Sequence, residues 1–273
     1  MKTLIKGGRI LDPAQNLDEQ ANLLIEDGHI VCITKEEPAA DRVIDAKGHM
    51  VAPGFIDIHM HEDPFEDGEL RQDISKSMLL MGVTTAMGGN CGDNYAEYNA
   101  DYSAILMSTG KYAGQRCTKE IYDWERANAP DDITVGFLMT EEDVDMALRH
   151  PLVVLGSDGL RHHDQGHPRA AGAFPRFIAE YIRTGKVGLM EGIAKMTCLS
   201  AERLGLSKKG NLKPGSDADI VIFDYENIRD TATFEEPVLV PEGIDYVLIG
   251  GEIAAKDGQI VNSHLGKAVR FEG

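Results

Sequence analysis

The sequence predicts an α/β protein: a parallel sheet with covering helices in the middle of the chain, and a small β domain built from its two ends. Four short phrases carry the second part of this. GGRI at Gly7, DGHI at Asp27, GGEI at Gly250 and DGQI at Asp257 set glycine beside β-rich runs such as NLLIED and YVLIGG, where tight turns need positive φ. Two lie near one terminus and two near the other. The economical arrangement joins residues 1–50 and 206–273 in one β domain, with residues 51–205 inserted as a second unit. That insert alternates strand-like and helix-like segments, which predicts parallel strands with functional loops at their C-terminal ends.

Taken in order, GFIDIH is a strand and ELRQDISKSMLLMG a helix ending at Gly82. VTTAMGG is a strand, YAEYNADYSAILMS a candidate helix, and AGQRCTKEIYDWERANA a helix with Ile121 and Trp124 on one face. ITVGFLM is the third strand. Thr140 and Asp143 then make a capping-box start for EEDVDMALRH, and Pro151 follows where a helix stops. LVVLGSD is the fourth strand and FPRFIAEYIRTG a helix. LMEGIAKMTCLSAERLG is another, with Leu189, Ile193, Met196 and Leu204 at helical spacing.

Composition narrows the function. The 273 residues suffice for one large domain or two ordinary ones. Acids outnumber bases 45 to 27 and are spread along the chain, which argues against nucleic acid or an anionic membrane surface as a partner. Cys32, Cys91, Cys117 and Cys198 are far apart and form no Cys-x-x-Cys pair, as expected of a protein in a reducing cytoplasm. The opening MKTLIKGGRILDP has no apolar stretch of the kind a signal peptide needs. No apolar run approaches the ~20 residues that span a bilayer.

Alternation along the first strand sends Asp57, His59 and His61 to one face, and Ile56, Ile58 and Met60 to the other. Two imidazoles two residues apart can reach one cation, and nitrogen ligands suit zinc. Two further strands end in Cys91 and Asp158, so thiolate and carboxylate donors leave at the same rim. Each has a plainer role when read singly: hydrogen-bonded histidines, a buried cysteine, a turn aspartate before Gly159. The GGNCG loop is also of a kind that cradles a phosphate.

The stretches MVAPGFIDIHMHED, GVTTAMGGNCG, GSDG, GHPRAAGAFPRF and KKGNLKPGSDADIVIFD resemble the amidohydrolase superfamily, and within it the N-acyl-D-amino-acid deacylases (D-aminoacylases). The resemblance covers both ends and both flanks of the middle, in the family's order. It implies a (β/α)₈ barrel with a small β domain from the chain termini, and one or two zinc ions. His59, His61 and Asp158 match one metal position, and Cys91 matches a thiolate that bridges to the second. Asp158 also matches the general base, and Arg169 the residue that holds the substrate carboxylate. The implied reaction is cleavage of the amide bond of an N-acyl-D-amino acid. A metal-bound hydroxide attacks a polarised carbonyl, and Asp158 passes a proton to the departing amine. Arg169 forks onto the carboxylate.

The middle departs from that pattern. A full barrel takes about 250 residues, whereas residues 51–205 number about 155 and supply four strands. Between Cys91 and Asp158 the only histidine is His150, at the wrong end of a helix, where a cap is its expected role. His162 and His163 are expected as solvated loop residues, and His167 belongs to the His-Pro-Arg signature. The expected fold is therefore a shortened (β/α) barrel-like sheet with a small β-sandwich domain. Its open edges predict a homo-oligomer, or a second chain that completes the barrel. Two other functions stay open. One is a cyclic-amide hydrolase of the hydantoinase or dihydroorotase kind, although those generally bridge their metals with a carboxylated lysine. The other is a catalytically impaired remnant serving as a binding or assembly module.

Overall fold

Hydrophobic alternation and glycine turns bring the two chain ends into a single mixed sheet. The computed structural model describes residues 1–61, 65–66, 69–70, 72–88, 102–137, 139–162 and 164–269. It opens with β1 (Lys2–Asp12), β2 (Leu17–Glu26), β3 (His29–Thr34), β4 (Arg42–Asp45) and β5 (Met50–Pro53). The middle begins with β6 (Phe55–Asp57), the short pair β7 (Phe65–Glu66) and β8 (Glu69–Leu70), α1 (Gln72–Leu80) and β9 (Val83–Ala86). Next come β10 (Ile105–Met107), α2 (Lys119–Asn128), β11 (Thr134–Gly136) and α3 (Glu141–Arg149). β12 (Arg161–His162), β13 (Gln165–Gly166), α4 (Arg169–Phe177), α5 (Leu189–Met196) and α6 (Cys198–Arg203) complete it. β14 (Ile220–Phe223), β15 (Ile244–Ile249), β16 (Glu252–Lys256) and β17 (Gln259–Ile260) return to the sheet. Its order is β17-β16-β15-β14-β5-β1-β2-β3, with β4 paired to β1.

Three of the four glycine phrases are two-residue hairpins. Asp27–Gly28 joins β2 to β3 with φ of 49° and 85°, the double positive φ that matches strand twist. Gly250–Gly251 and Asp257–Gly258 do the same for β15–β16 and β16–β17. The fourth phrase is a correction. Gly7 does not turn the chain; it lies inside β1 at a bulge, where the register to β2 shifts between Ile5 and Gly8. Beside the bulge only glycine fits at position 8, because a Cβ there would lie 2.4 Å from Val51 Cγ2.

Period-two alternation gives the sheet two apolar faces. Ile5, Ile10, Val51, Ile220 and Ile222 join one cluster, while Leu11, Met50, Ala52, Val221 and Phe223 join the other. Burial on both sides explains why IVIF in β14 is a continuous apolar run. The second face packs on the helices: Phe55 of β6 stacks on Phe174 of α4 at 5.6 Å and tilts against Phe223 at 6.2 Å. Buried Asp12 ties the termini together, accepting from the Leu212 N–H at 2.7 Å.

The middle departs in four places from the expected order of elements. β9 pairs parallel with β6, as alternation predicts. β11, by contrast, runs antiparallel to β10 in a separate sheet. The helix expected over residues 95–108 gives a 3₁₀ turn at Tyr102–Ala104 and then β10; residues 95–101 lie outside the described residues. Ile105, Leu106 and Met107 are buried in succession, a pattern that one helical face does not produce. Nor does the next helix begin at residue 113. It starts at Lys119, because Thr118 takes the cap from the Ile121 N–H at 3.3 Å while the Cys117 N–H is engaged by Ile105 O at 2.8 Å. Residues 152–158 form no ladder; they meet the end of the first strand through one parallel bridge, Met60 to Gly159. The capping box of α3 is present, with Thr140 and Asp143 bonded reciprocally.

Candidate metal centre

The site grows from the buried end of β6. Asp57 is fully buried, and its Oδ1 accepts from the backbone N–H groups of Ser157 at 2.9 Å and His59 at 3.2 Å. Its Oδ2 is buried with no hydrogen-bond partner among the described residues. Burial pushes the carboxyl above its ordinary pKa, against the pull of the Ser157 side chain and of those two backbone bonds. Beyond Asp57 the chain stays extended, and the Asp158 N–H donates to His59 O at 2.8 Å while the His61 N–H donates to Gly159 O at 3.0 Å. Close approach is part of the design: a Cβ on Gly156 would lie 3.0 Å from His59 Cβ.

Asp158 sits at φ 49°, a left-handed conformation that aspartate tolerates better than most residues. The turn lets its N–H pair with His59 while its carboxylate reaches back to the histidines. Asp158 Oδ1 lies 2.6 Å from His61 Nε2 and 3.3 Å from His59 Nε2. One donor atom from each residue falls within 4.8 Å of the others. Two imidazole nitrogens and one carboxylate oxygen are donors that zinc accepts, so the residues present fit a divalent cation. Their side chains are 32–41% exposed, which leaves room for a ligand.

The other oxygen of Asp158 is held by Arg169, the first residue of α4. Arg169 Nη2 lies 2.7 Å from Oδ2, and its Nε donates to the Asp158 carbonyl at 2.5 Å. The guanidinium expected to receive a substrate carboxylate thus grips a carboxylate of the chain itself. His167 Nδ1 accepts the Arg169 N–H at 3.1 Å. Burial, reinforced by the Arg169 charge, lowers the His167 pKa to about 4; the ring is neutral at pH 7, with its proton on Nε2. The Phe234 ring lies 5.3 Å from it.

The structure therefore brings His59, His61, Asp158 and Arg169 together. Cys91 and His163 lie outside the described residues, as does the glycine loop around Cys91. His150 is the C-cap of α3, and its Nδ1 accepts the Leu152 N–H at 3.2 Å. Two contributors were not singled out from sequence. Asp57 was placed only on the polar face; an acid two residues before a His-x-His pair was the available signal. Phe234 had no signal, since its contact comes from the distant β14–β15 connection.

Comparison with known proteins adds a family to this geometry. A profile described as the amidohydrolase family matches residues 42–108 and 121–255. A D-aminoacylase of Alcaligenes xylosoxydans xylosoxydans is 39% identical over 134 residues, which is 49% of this chain and 28% of that protein. A dihydroorotase of Syntrophus aciditrophicus (strain SB) is 41% identical over 90 residues, covering 31% of this chain and 21% of its own. The matched stretches thus span less than a third of either relative. A solved structure of an N-acyl-D-glutamate deacylase from Bordetella bronchiseptica, complexed with zinc and a phosphonate inhibitor, superposes with a TM-score of 0.80. That match has 18% identity and covers 94% of this chain and 98% of the other; at that identity it establishes a shared fold.

Because Asp57 supplies the acceptor for two buried N–H groups, Asp57→Ala is expected to cost about 2 kcal/mol of stability. Asp57→Asn keeps the Oδ1 acceptor and should cost less than half as much. Urea unfolding followed by circular dichroism measures both; an unchanged midpoint for the alanine variant would show that these N–H groups have other acceptors.

Proposed function

The chain belongs to the amidohydrolase family, and we propose that it cleaves the amide bond of N-acyl-D-amino acids with the help of zinc held by His59, His61 and Asp158. The observation that carries this is the convergence of two Nε2 atoms and one carboxylate oxygen within 4.8 Å. Cys91, from a loop that resembles the family's glycine-asparagine-cysteine-glycine signature, would add a thiolate and room for a second ion. Zinc bound there supplies Lewis acidity, lowering the pKa of water and polarising a carbonyl.

The two oxygens of Asp158 then divide the work. Oδ1 faces the imidazoles, and Oδ2 takes the proton of the attacking water and returns it to the departing nitrogen. The water oxygen adds to the acyl carbon, the C–N bond breaks, and a carboxylate and an amine leave. Arg169 receives the carboxylate of the substrate's amino-acid part through the same fork that now holds Asp158 Oδ2 at 2.7 Å. Substrate binding is thus an exchange of one carboxylate for another, and it frees Oδ2 for proton transfer.

The remaining architecture is read in the same way. We read the segment 51–205 as a shortened barrel carried by residues 1–50 with 206–273, although β5 (Met50–Pro53) adds its last three residues to the terminal sheet. Among the described residues β9 pairs with β6 alone, and its Thr84–Ala86 border a cavity of about 640 Å³. A second copy of the chain, or another polypeptide, would pair with that edge. No helix among the described residues is long and apolar enough to cross a membrane.

Asp158→Asn is expected to lower kcat for N-acetyl-D-amino acids, read as acetate release, by at least about 100-fold with unchanged circular dichroism. Unchanged turnover in that variant would remove Asp158 from the reaction. Ring opening of a cyclic amide without acetate release would instead favour the hydantoinase-like alternative. Light scattering at micromolar concentration is expected to give a dimer or larger; a stable monomer that takes up no partner would contradict the completed-barrel arrangement.

A further inference from the structure

The connection between β14 and β15 leaves the sheet after Phe223 and returns at Ile244, and it is fastened at several points. A bridge joins Arg229 and Glu242, whose side chains pair at 2.7 Å. Thr231 Oγ1 donates to Val240 O at 2.8 Å. Arg183 Nη1 donates to Tyr225 O at 3.0 Å and to Ile228 O at 2.8 Å. Asp230 fills the space that Gly172 leaves on α4, where a Cβ would lie 1.8 Å from its Oδ1. The loop is thereby bound to the helix whose first residue is Arg169.

This places one side chain of the loop beside the site. The half-buried ring of Phe234 lies edge-on to His167 at 5.3 Å and to Phe137 at 5.2 Å. Phe137 is 42% exposed, so part of its ring is open to a ligand. The Arg116 guanidinium stacks on Phe137 at 4.2 Å. His167 in turn accepts the Arg169 N–H. A continuous line of contacts therefore runs from Asp158 through Arg169 and His167 to two phenyl rings.

Resting on the assignment of Arg169 to the substrate carboxylate, we propose that Phe234 and Phe137 form the wall that receives the substrate's amino-acid side chain, and that aromatic or long apolar side chains are selected over small or acidic ones. The chemistry is local. The α-carbon bears both the carboxylate and the side chain, so a side chain begins one atom away from the group that Arg169 holds. On this proposal what it meets next is His167, which accepts the Arg169 N–H, and then the two rings. The imidazole is neutral at pH 7 and offers an acidic side chain no charge, whereas a phenyl or thioether group gains apolar burial and ring contacts there.

The test is equilibrium binding of non-hydrolysable N-methanesulfonyl derivatives of D-phenylalanine, D-alanine and D-glutamate to the full chain loaded with zinc, by calorimetry. The phenylalanine ligand is expected to bind about tenfold tighter than the alanine ligand, with glutamate weaker than phenylalanine. Phe234→Ala should erase that ratio, leaving alanine binding within about twofold of the wild type; Phe234→Leu should keep about half of the preference in free-energy terms. Phe137→Ala should reduce the ratio independently, and unchanged melting temperatures would show that the variants fold. A ratio that survives Phe234→Ala, or a glutamate ligand that binds tightest, overturns the inference while leaving the proposed function intact. Failure of all three ligands to bind the wild-type chain overturns both, whereas loss of all three in Arg169→Ala alone supports the carboxylate assignment on which this wall depends.

Discussion

Two backbone hydrogen bonds across a separation of about a hundred residues hold the candidate site together. Asp158 donates to His59 O and His61 donates to Gly159 O, and without them the carboxylate and the imidazoles would belong to unrelated segments. Each is short, at 2.8 and 3.0 Å, but neither belongs to a ladder that would reinforce it. Reinforcement comes from Asp57, whose Oδ1 binds Ser157 and His59 together and so fixes the register of the two segments. Keeping that carboxylate buried, with one oxygen unpartnered among the described residues, costs stability. Packing around Phe55, stacked on Phe174 and tilted on Phe223, helps to offset it.

A second consequence concerns Arg169. Its guanidinium grips the side chain and the carbonyl of Asp158 at once. Such a contact keeps a half-buried guanidinium satisfied by charge and by hydrogen bonding. It also explains how an aspartate can stay in a left-handed turn: the backbone at Asp158 is held at its N–H by His59 and at its carbonyl by Arg169. Position, ion pair and backbone conformation are one mechanical unit.

Much of this was legible in the sequence, where local chemistry decides the outcome. Asp-Gly and Gly-Gly pairs specify hairpins on their own, and Thr140 with Asp143 specifies a helix start. Alternation along GFIDIHMH puts both histidines on one side without help from the rest of the chain. Gly7 reads as a turn because a bulge and a turn can both take positive φ, and only the pairing of β1 with β2 on either side of it separates them. The segment 133–139 reads as a parallel strand because strand propensity carries no direction; its partner β10 lies in a stretch that looks helical. Residues 152–158 have a strand's composition, yet the turn at Asp158 diverts them from a ladder. Phe234 was invisible for a different reason, since a residue in a long connection acquires meaning only from what the connection is fastened to.

X-ray absorption at the zinc edge of the metal-loaded protein tests the central claim most directly. One cation bound by His59, His61 and Asp158 should give nitrogen or oxygen neighbours at about 2.0–2.2 Å with outer-shell scattering from two imidazoles, and His61→Ala should remove one imidazole's share. A zinc shell without imidazole scattering, or a protein that retains no zinc at neutral pH, would contradict the account.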